Sequence, residues 1–318
     1  ALREEGADVV EIANPRRRPP AGGGLGSLRN AAADLRWTAV ELPRRAARAG
    51  ADVIHHPLPA LAPLSAIPQV LTLHDLAFER LPDAFDPAFR RYAHLVHRAA
   101  ARRADTIVAV SHTTAGDAAE LWDVSQERIV VAHHGPGQPL PPVSAPGTRG
   151  HFLYVGDAEP RKDLGTLLAA HARYRAGGGT LDLVLAGSVD ATAPGVRVEP
   201  APEPQRLAAL YGGAAALVHP ARYEGFGMTP LEAMSLGTPV VAARAPGVVE
   251  VCGEAAVYFP PGEAAALAQR LRDVETAPPD AAALRRHAGG FSWRGSARRH
   301  LDAYSLAVGA RRGRHLAR

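Results

Sequence analysis

The residues of this 318-residue chain with the most specific chemistry lie in YEGFGMTPLEAMSLGTPVV, from Tyr223 to Val241. Glu224 leads the turn Gly225-Phe226-Gly227, and Glu232 follows eight positions after Glu224. Gly225 and Gly227 admit backbone conformations and a close ligand approach that a Cβ forbids. Thr229 reads as an N-cap, Pro230 as the first helical residue, Glu232 as the acidic partner of a capping box, and Gly237 with Thr238-Pro239 as the stop. The helix so predicted is about two turns long, with free amides at Met228 and Thr229 and its positive end facing the glycine turn. That is an anion site. A carboxylate beside an anion site needs another task, and as a hydrogen-bond acceptor Glu224 can grip sugar hydroxyls. The plainer alternatives are that Glu232 only caps the helix and that Glu224 is an ordinary loop carboxylate.

Cationic chemistry sits in a second loop. The strand HFLYVG ends at Gly156 and leads into DAEPRKDLGTLL, where Arg161 and Lys162 stand side by side. Lys162 is the sole lysine among 36 basic residues, so its retention points to a place for a compact ammonium. An exposed surface pair is the alternative. His74 closes the apolar run in VLTLHDLAF, whereas His133 and His134 precede Gly135 and read as structural turn residues. The single Cys252 excludes an internal disulfide framework and a cysteine metal cluster. With no Asp-x-Asp pair and no His/Cys cluster in the spacing, no metal site and no cofactor are expected.

The elements that must position these groups alternate strand and helix. ADVIHH (Ala51 to His56), QVLTLHD (Gln69 to Asp75) and Thr106 to Val110 read as parallel strands that end in polar residues at a ligand crevice. Pro87 to Ala104 reads as a helix with Phe89, Tyr92, Leu95, Val96 and Ala99 at helical spacing, and Ser111 or Thr113 caps the next one. Val9 to Ile12 reads as a strand. Gly22 to Ser27 (GGGLGS) lacks both a preceding strand and a following periodic helix, so it reads as a loop. PGQPLPPVSAPGTRG, with five prolines, is an interdomain linker. Beyond it LDLVLAG (Leu181 to Gly187) and Ala214 to Val218 are further strands. The fold class is therefore α/β with two doubly wound, Rossmann-like domains. The first spans residues 1–135, the linker 136–150, the second 151–290, and a last helix with a basic tail 291–318.

Composition sets outer bounds. The chain is 47% hydrophobic and 21% charged, enough to bury full cores, and no apolar run approaches a membrane span. The net charge is +4. Nine arginines and one acidic residue fall between Arg285 and Arg318, and the rest of the chain is net negative. Basicity is thus a property of the tail, which argues against a nucleic-acid partner. It leaves a solvated tail or contact with an anionic membrane. Arg16 to Arg18 and Arg44, Arg45 and Arg48 read as a solvated basic face or as one turned to a phosphorylated or membrane-bound acceptor. A cytoplasmic protein, or one peripheral at the inner membrane face, fits these bounds.

The pattern Glu224, Gly225-Phe226-Gly227, then Glu232-Ala233-Met234 resembles the signature of retaining GT-B glycosyltransferases, in particular glycosyltransferase family 4. The resemblance implies that Glu224 and the Gly225–Gly227 amides hold the donor sugar, that Glu232 binds the nucleotide ribose, and that Arg161 and Lys162 clamp the diphosphate. Many members place the arginine directly after the strand's glycine, where this chain has Asp157. By the same resemblance His74 faces the donor sugar or the reacting centre, and FSW at Phe291 to Trp293 starts a helix that crosses back to the first domain. The PRK form of the phosphate loop resembles mannosyltransferase-like members, which favours GDP-mannose as donor and a saccharide or lipid-linked acceptor. Family members begin with an earlier strand, glycine-rich loop and helix that this chain does not display. A catalytically impaired donor-binding or scaffold protein therefore stands as an alternative, as does another GT-B enzyme such as a sugar-nucleotide epimerase.

Overall fold

The structure is a computed structural model that describes residues 1–15, 33–141 and 149–316. Arg16 to Arg18, the Gly22 to Ser27 loop and residues 142–148 of the proline-rich linker lie outside the described residues.

The apolar runs become parallel strands because their backbone groups, buried between helices, find partners only in neighbouring strands. In the first sheet β1 (Ile54–His56), β2 (Gln69–Leu73), β3 (Thr106–Ala109) and β4 (Ile129–Val131) lie in the order β1-β2-β3-β4, all parallel. Helix α1 (Leu42–Arg48) precedes it, α2 (Pro87–Arg103) joins β2 to β3, and α3 (His112–Trp122) joins β3 to β4. Of the two candidate caps for α3, Ser111 is the one used: its hydroxyl accepts from the Thr114 amide at 2.9 Å.

The second sheet takes its elements in the order β5 (His151–Val155), α4 (Leu164–Ala176), β6 (Asp182–Ala186), β7 (Val196–Glu199), α5 (Pro204–Gly213), β8 (Ala214–His219), α6 (Met228–Ser235), β9 (Val240–Ala243), α7 (Pro246–Cys252), β10 (Val257–Phe259) and α8 (Ala264–Thr276). Then come α9 (Ala281–Ala288) and α10 (Trp293–Leu316). The strand order is β10-β9-β8-β5-β6-β7 with every pair parallel. Strand order therefore reverses between β5 and β8, and a crevice opens where their carboxyl ends diverge. Alternate strand residues fill the two faces, Leu153, Val184 and Leu217 on one and Phe152, Leu183 and Val218 on the other. The result is an α/β chain with two parallel sheets, of which the second is doubly wound about the switch between β5 and β8.

Three local expectations need correction. Val9 to Ile12 is not a strand: no strand pairs with it among the described residues, and the Val9 carbonyl accepts instead from Arg3 Nη2. Helix α2 forms, but its large apolar residues Phe89, Tyr92, Leu95 and Val96 face outward, while the small Ala93, Ala100 and Ala101 meet the core. Helix α6 starts two positions early, at Met228, with Gly227 as N-cap at φ 102°, a left-handed conformation suited to glycine. Thr229 is therefore inside the helix and makes no cap; its hydroxyl lies 3.3 Å from His219 Nδ1.

Candidate active site

The two loops singled out in the sequence follow β5 and β8, the strands that flank the crevice. After β5, Gly156 turns the chain and a short 3-10 turn, Pro160–Lys162, presents the two cations. A Cβ on Gly156 would stand 2.8 Å from Lys162 Nζ, so the glycine makes room for the ammonium. After β8, the chain runs through Tyr223 and Glu224 to the glycine turn and α6. Glu224 Oε2 accepts from Arg161 Nη1 at 2.9 Å, and Arg161 Nε reaches Glu159 Oε2 at 2.8 Å. Lys162 Nζ lies 3.7 Å from Glu159 Oε1, and His219 Nε2 lies 3.5 Å from Glu224 Oε1.

These neighbours set the charge of Glu224. Burial alone raises its pKa, but the His219 ring, Arg161 and Lys162 bring it down to about 2, so it is a carboxylate throughout the neutral range. Arg161 and Lys162 are in turn balanced by Glu159 and Glu224. An incoming anion would compete for the two cations and release Glu224 to accept other donors.

The glycine turn is pressed against the first sheet. A Cβ on Gly225 would stand 1.8 Å from the His74 carbonyl, which only glycine avoids. His74 itself is exposed at the carboxyl end of β2 and hydrogen-bonds through Nε2 to the Pro57 carbonyl at 2.9 Å. Beside it burial pushes the Asp75 carboxyl above its usual range, although the Ala77 amide and Arg161 offset part of that. Phe226 is buried among His133, His134 and Phe291 rather than turned to a ligand space. Met228 is exposed at the start of α6.

Glu232 lies away from this cluster. It is buried, its Oε2 accepts from Tyr211 at 2.8 Å and its Oε1 from the Gln138 amide of the linker at 3.0 Å. Burial raises its pKa. The capping-box role is not realised, since both oxygens turn to partners outside the first turn of α6.

Several groups at the junction were missed in the sequence. His219 ends the apolar strand β8, the same signal that singled out His74. Tyr223, one residue before Glu224, donates to Asp117 Oδ2 of α3 at 2.5 Å, and Arg80 holds the other oxygen of Asp117 at 2.6 Å. Glu250 of α7 accepts from the His112 and Thr113 amides at 2.6 and 2.8 Å and stands 2.7 Å from His133 Nε2. No spacing rule joins residues so far apart in the chain. His112, His133 and Glu250 place one ligand-type atom each within 4.8 Å of one another, a grouping the sequence did not suggest. Its carboxylate is already committed to the amides at the positive end of α3, a position that favours an anion over a cation. His133 and His134 thus belong to the junction, with the His134 ring centre 4.9 Å from that of Trp293 and tilted against it.

Known proteins share features of this sequence and of this fold. Residues 141–289 match the family model described as "Glycosyl transferases group 1", and residues 1–135 match "Glycosyltransferase Family 4". Among curated proteins, the O-antigen chain mannosyltransferase B of Escherichia coli is 28% identical, covering 83% of this chain and 78% of that protein. A glycogen synthase of Mycobacterium tuberculosis is also 28% identical, covering 80% and 69%. Among solved structures, HepE of Anabaena in complex with UDP and glucose superposes with a TM-score of 0.68 at 20% identity, over 90% of this chain and 84% of that one. A sucrose-phosphate synthase of Thermosynechococcus elongatus gives 0.67 at 24% identity, over 85% and 77%.

Proposed function

The chain is a GT-B glycosyltransferase of the family 4 type, and from that premise we propose that it moves a hexose, mannose favoured, from a nucleoside diphosphate sugar to a saccharide or lipid-linked acceptor with retention at the anomeric carbon. One observation carries this reading: Glu224, Arg161 and Lys162 converge at the switch point of the second sheet, with the glycine turn against His74 of the first. The halves 1–135 and 151–290 then serve as acceptor side and donor side.

In this reading the donor diphosphate displaces Glu224 and Glu159 from the two cations. Arg161, Lys162 and the Met228 and Thr229 amides stabilise the charge that builds on the departing diphosphate. Glu224, freed and ionised, accepts from the sugar hydroxyls, and His74 borders the reacting centre from the other sheet. Gly156 and the Gly225–Gly227 backbone shape the pocket, and Glu232 takes the ribose. The cations supply the electrostatic role that a metal serves in other transferases, so transfer is independent of added metal. Mannose is favoured by the PRK loop and by the mannosyltransferase among the relatives. A lipid-linked acceptor would bring the protein into peripheral contact with an anionic membrane; no helix among the described residues is long and apolar enough to cross one.

Thermal shift with GDP-mannose, UDP-glucose and related donors, each with and without EDTA, tests the donor. A ligand that binds only the folded state raises the melting temperature by mass action. GDP-mannose should give the largest shift, unchanged by the chelator, and proton NMR of the product should show the donor's anomeric configuration. No shift with any sugar nucleotide, or an inverted product, would overturn the reading.

A further inference from the structure

Helix α2 carries its amphipathic character inside out. Its core side is made of Ala93, Ala100 and Ala101, whereas Phe89, Tyr92, Leu95 and Val96 are 43, 56, 67 and 43% exposed. At 100° per residue these four, with Ala88 and Ala99, form one outward apolar stripe along a helix of about 25 Å. Arginines border it. Pro87–Arg103 holds five arginines and no carboxylate. Nearby acids are engaged elsewhere: Asp86 caps the helix through the Phe89 amide, Glu79 takes His94 and Trp122, and Asp123 takes Arg102. Arg91 and Arg103 are exposed and have no acidic partner among the described residues.

We propose that α2 lies in the headgroup region of an anionic bilayer, with Tyr92, Leu95 and Val96 inserted, Phe89 at the edge of the stripe where it also packs on Phe78 and Phe85, and Arg91 and Arg103 on lipid phosphates. Large apolar and aromatic residues on one face with arginine alongside, on a helix too polar to span, are the pattern of an interfacial helix. Charge decides between occupants. A second copy docked on the same face about a two-fold axis would set arginine against arginine, and α2 has no carboxylate to answer them. The basic tail is a poorer candidate, because four of its arginines already have acidic partners within the protein: Arg294 and Arg298 hold Glu5, Arg299 holds Asp302, and Arg311 reaches Asp105. The proposal rests on the peripheral-contact part of the proposed function and not on its chemistry.

Co-sedimentation of the full chain with phosphatidylcholine vesicles, with and without phosphatidylglycerol, tests it without any sugar nucleotide. The protein should bind the anionic vesicles and not the neutral ones, less so as salt rises. Arg91→Gln and Arg103→Gln should each weaken binding roughly fivefold. The pair Tyr92→Glu and Leu95→Glu should abolish it, with an unchanged melting temperature because both side chains face solvent. Arg312→Gln in the tail should leave it unaltered. Binding that survives the Tyr92/Leu95 pair overturns the assignment to α2 while keeping membrane contact. No binding to anionic vesicles overturns both, and a dimer that Leu95→Glu dissociates gives the face to a second copy.

Discussion

The two sheets differ in how they are covered. The second is packed on both faces by helices from its own stretch of chain, with Leu231 and Val248 on one side and Leu167 and Leu271 on the other. Among the described residues the first has its own helices on one face only. Its other face, Val70, Val108 and Val130, is closed by Ala303 and Ala307 of α10, which returns from the far end of the chain. Polar contacts fix that return: His55 Nδ1 meets the Tyr304 hydroxyl at 2.8 Å, and Glu5 pairs with Arg294 and Arg298. The second half, the proposed donor side, is thus self-contained, and the first, the proposed acceptor side, depends on a borrowed helix. Donor binding and sugar transfer should therefore separate under perturbation.

The largest expected effect comes from breaking that cover. Ala307→Asp puts an unpaired carboxylate against the first sheet, a burial that costs about 3–5 kcal/mol. Hydrogen exchange should then show loss of protection in β2 and β3 with β5 and β8 still protected, and GDP-mannose should still raise the melting temperature. An equal loss in both sheets would mean that they unfold as one body.

Next in size is the contrast between the two glutamates. Glu224→Ala should lower transfer on the order of a hundredfold or more, the scale of losing one preorganised electrostatic partner, while nucleotide affinity stays within a fewfold. Glu232→Ala should instead weaken the nucleotide and cost about 1–3 kcal/mol of stability, since the Tyr211 hydroxyl loses its acceptor inside the core. Loss of stability from both variants with ligand affinity intact would return Glu232 to a purely structural role.

How far the sequence reaches follows from the range of the forces involved. The parallel strands and the two loops after β5 and β8 were legible because apolar runs and glycine turns are local signals, and each lies within one βα unit. The face of α2 was not legible. Helical spacing of Phe89, Tyr92, Leu95 and Val96 predicts an apolar side but not which way it turns, and close packing against β2 and β3 selected the alanines. The capping box failed for a similar reason. Gly227 offered a left-handed cap two positions earlier, and Tyr211 offered Glu232 a buried donor twenty-one residues away in sequence. Tyr223–Asp117 and Glu250 with the α3 amides join opposite halves, and nothing local in the chain announces such pairs.

A smaller effect is expected at the phosphate loop. Lys162→Ala should weaken nucleoside diphosphate binding about tenfold, as for loss of one charged hydrogen bond, with EDTA making no difference to either protein. Isothermal titration would show it; unchanged affinity would move the diphosphate away from this loop.

The smallest effect near neutral pH, and the one that most sharpens the contrast between halves, concerns acid. His134 is buried at the junction against Phe226 and Trp293, and burial, with His74, His300 and His133 nearby, brings its pKa from 6.5 to about 4. The unfolded chain therefore binds a proton that the folded one refuses, so stability is full above about 6.5 and falls as pH drops toward about 4. His55, between β1 and α10, acts in the same direction and reaches to about 3, again through burial first. Glu250 follows at lower pH. Burial raises its pKa, but His133 and the α3 amides bring it from 4.5 to about 2, so its contribution is present above 4.5 and lost on the way to 2. All three groups lie on the first sheet, its crossover helix or the junction, and none lies in the core of the second sheet. Acid should loosen the first sheet and the junction before the second sheet, visible as an early change in Trp293 fluorescence that the Trp293→Phe variant lacks. His134→Phe keeps the aromatic packing and removes the proton site, so it should flatten the decline between about 6.5 and 4 and leave the later one in place. A decline in that window unaltered by the substitution would assign it to the other histidines that burial lowers, His55 and, in the second half, His151 and His171, and loss of β5 and β8 protection in the same window would erase the difference between the halves.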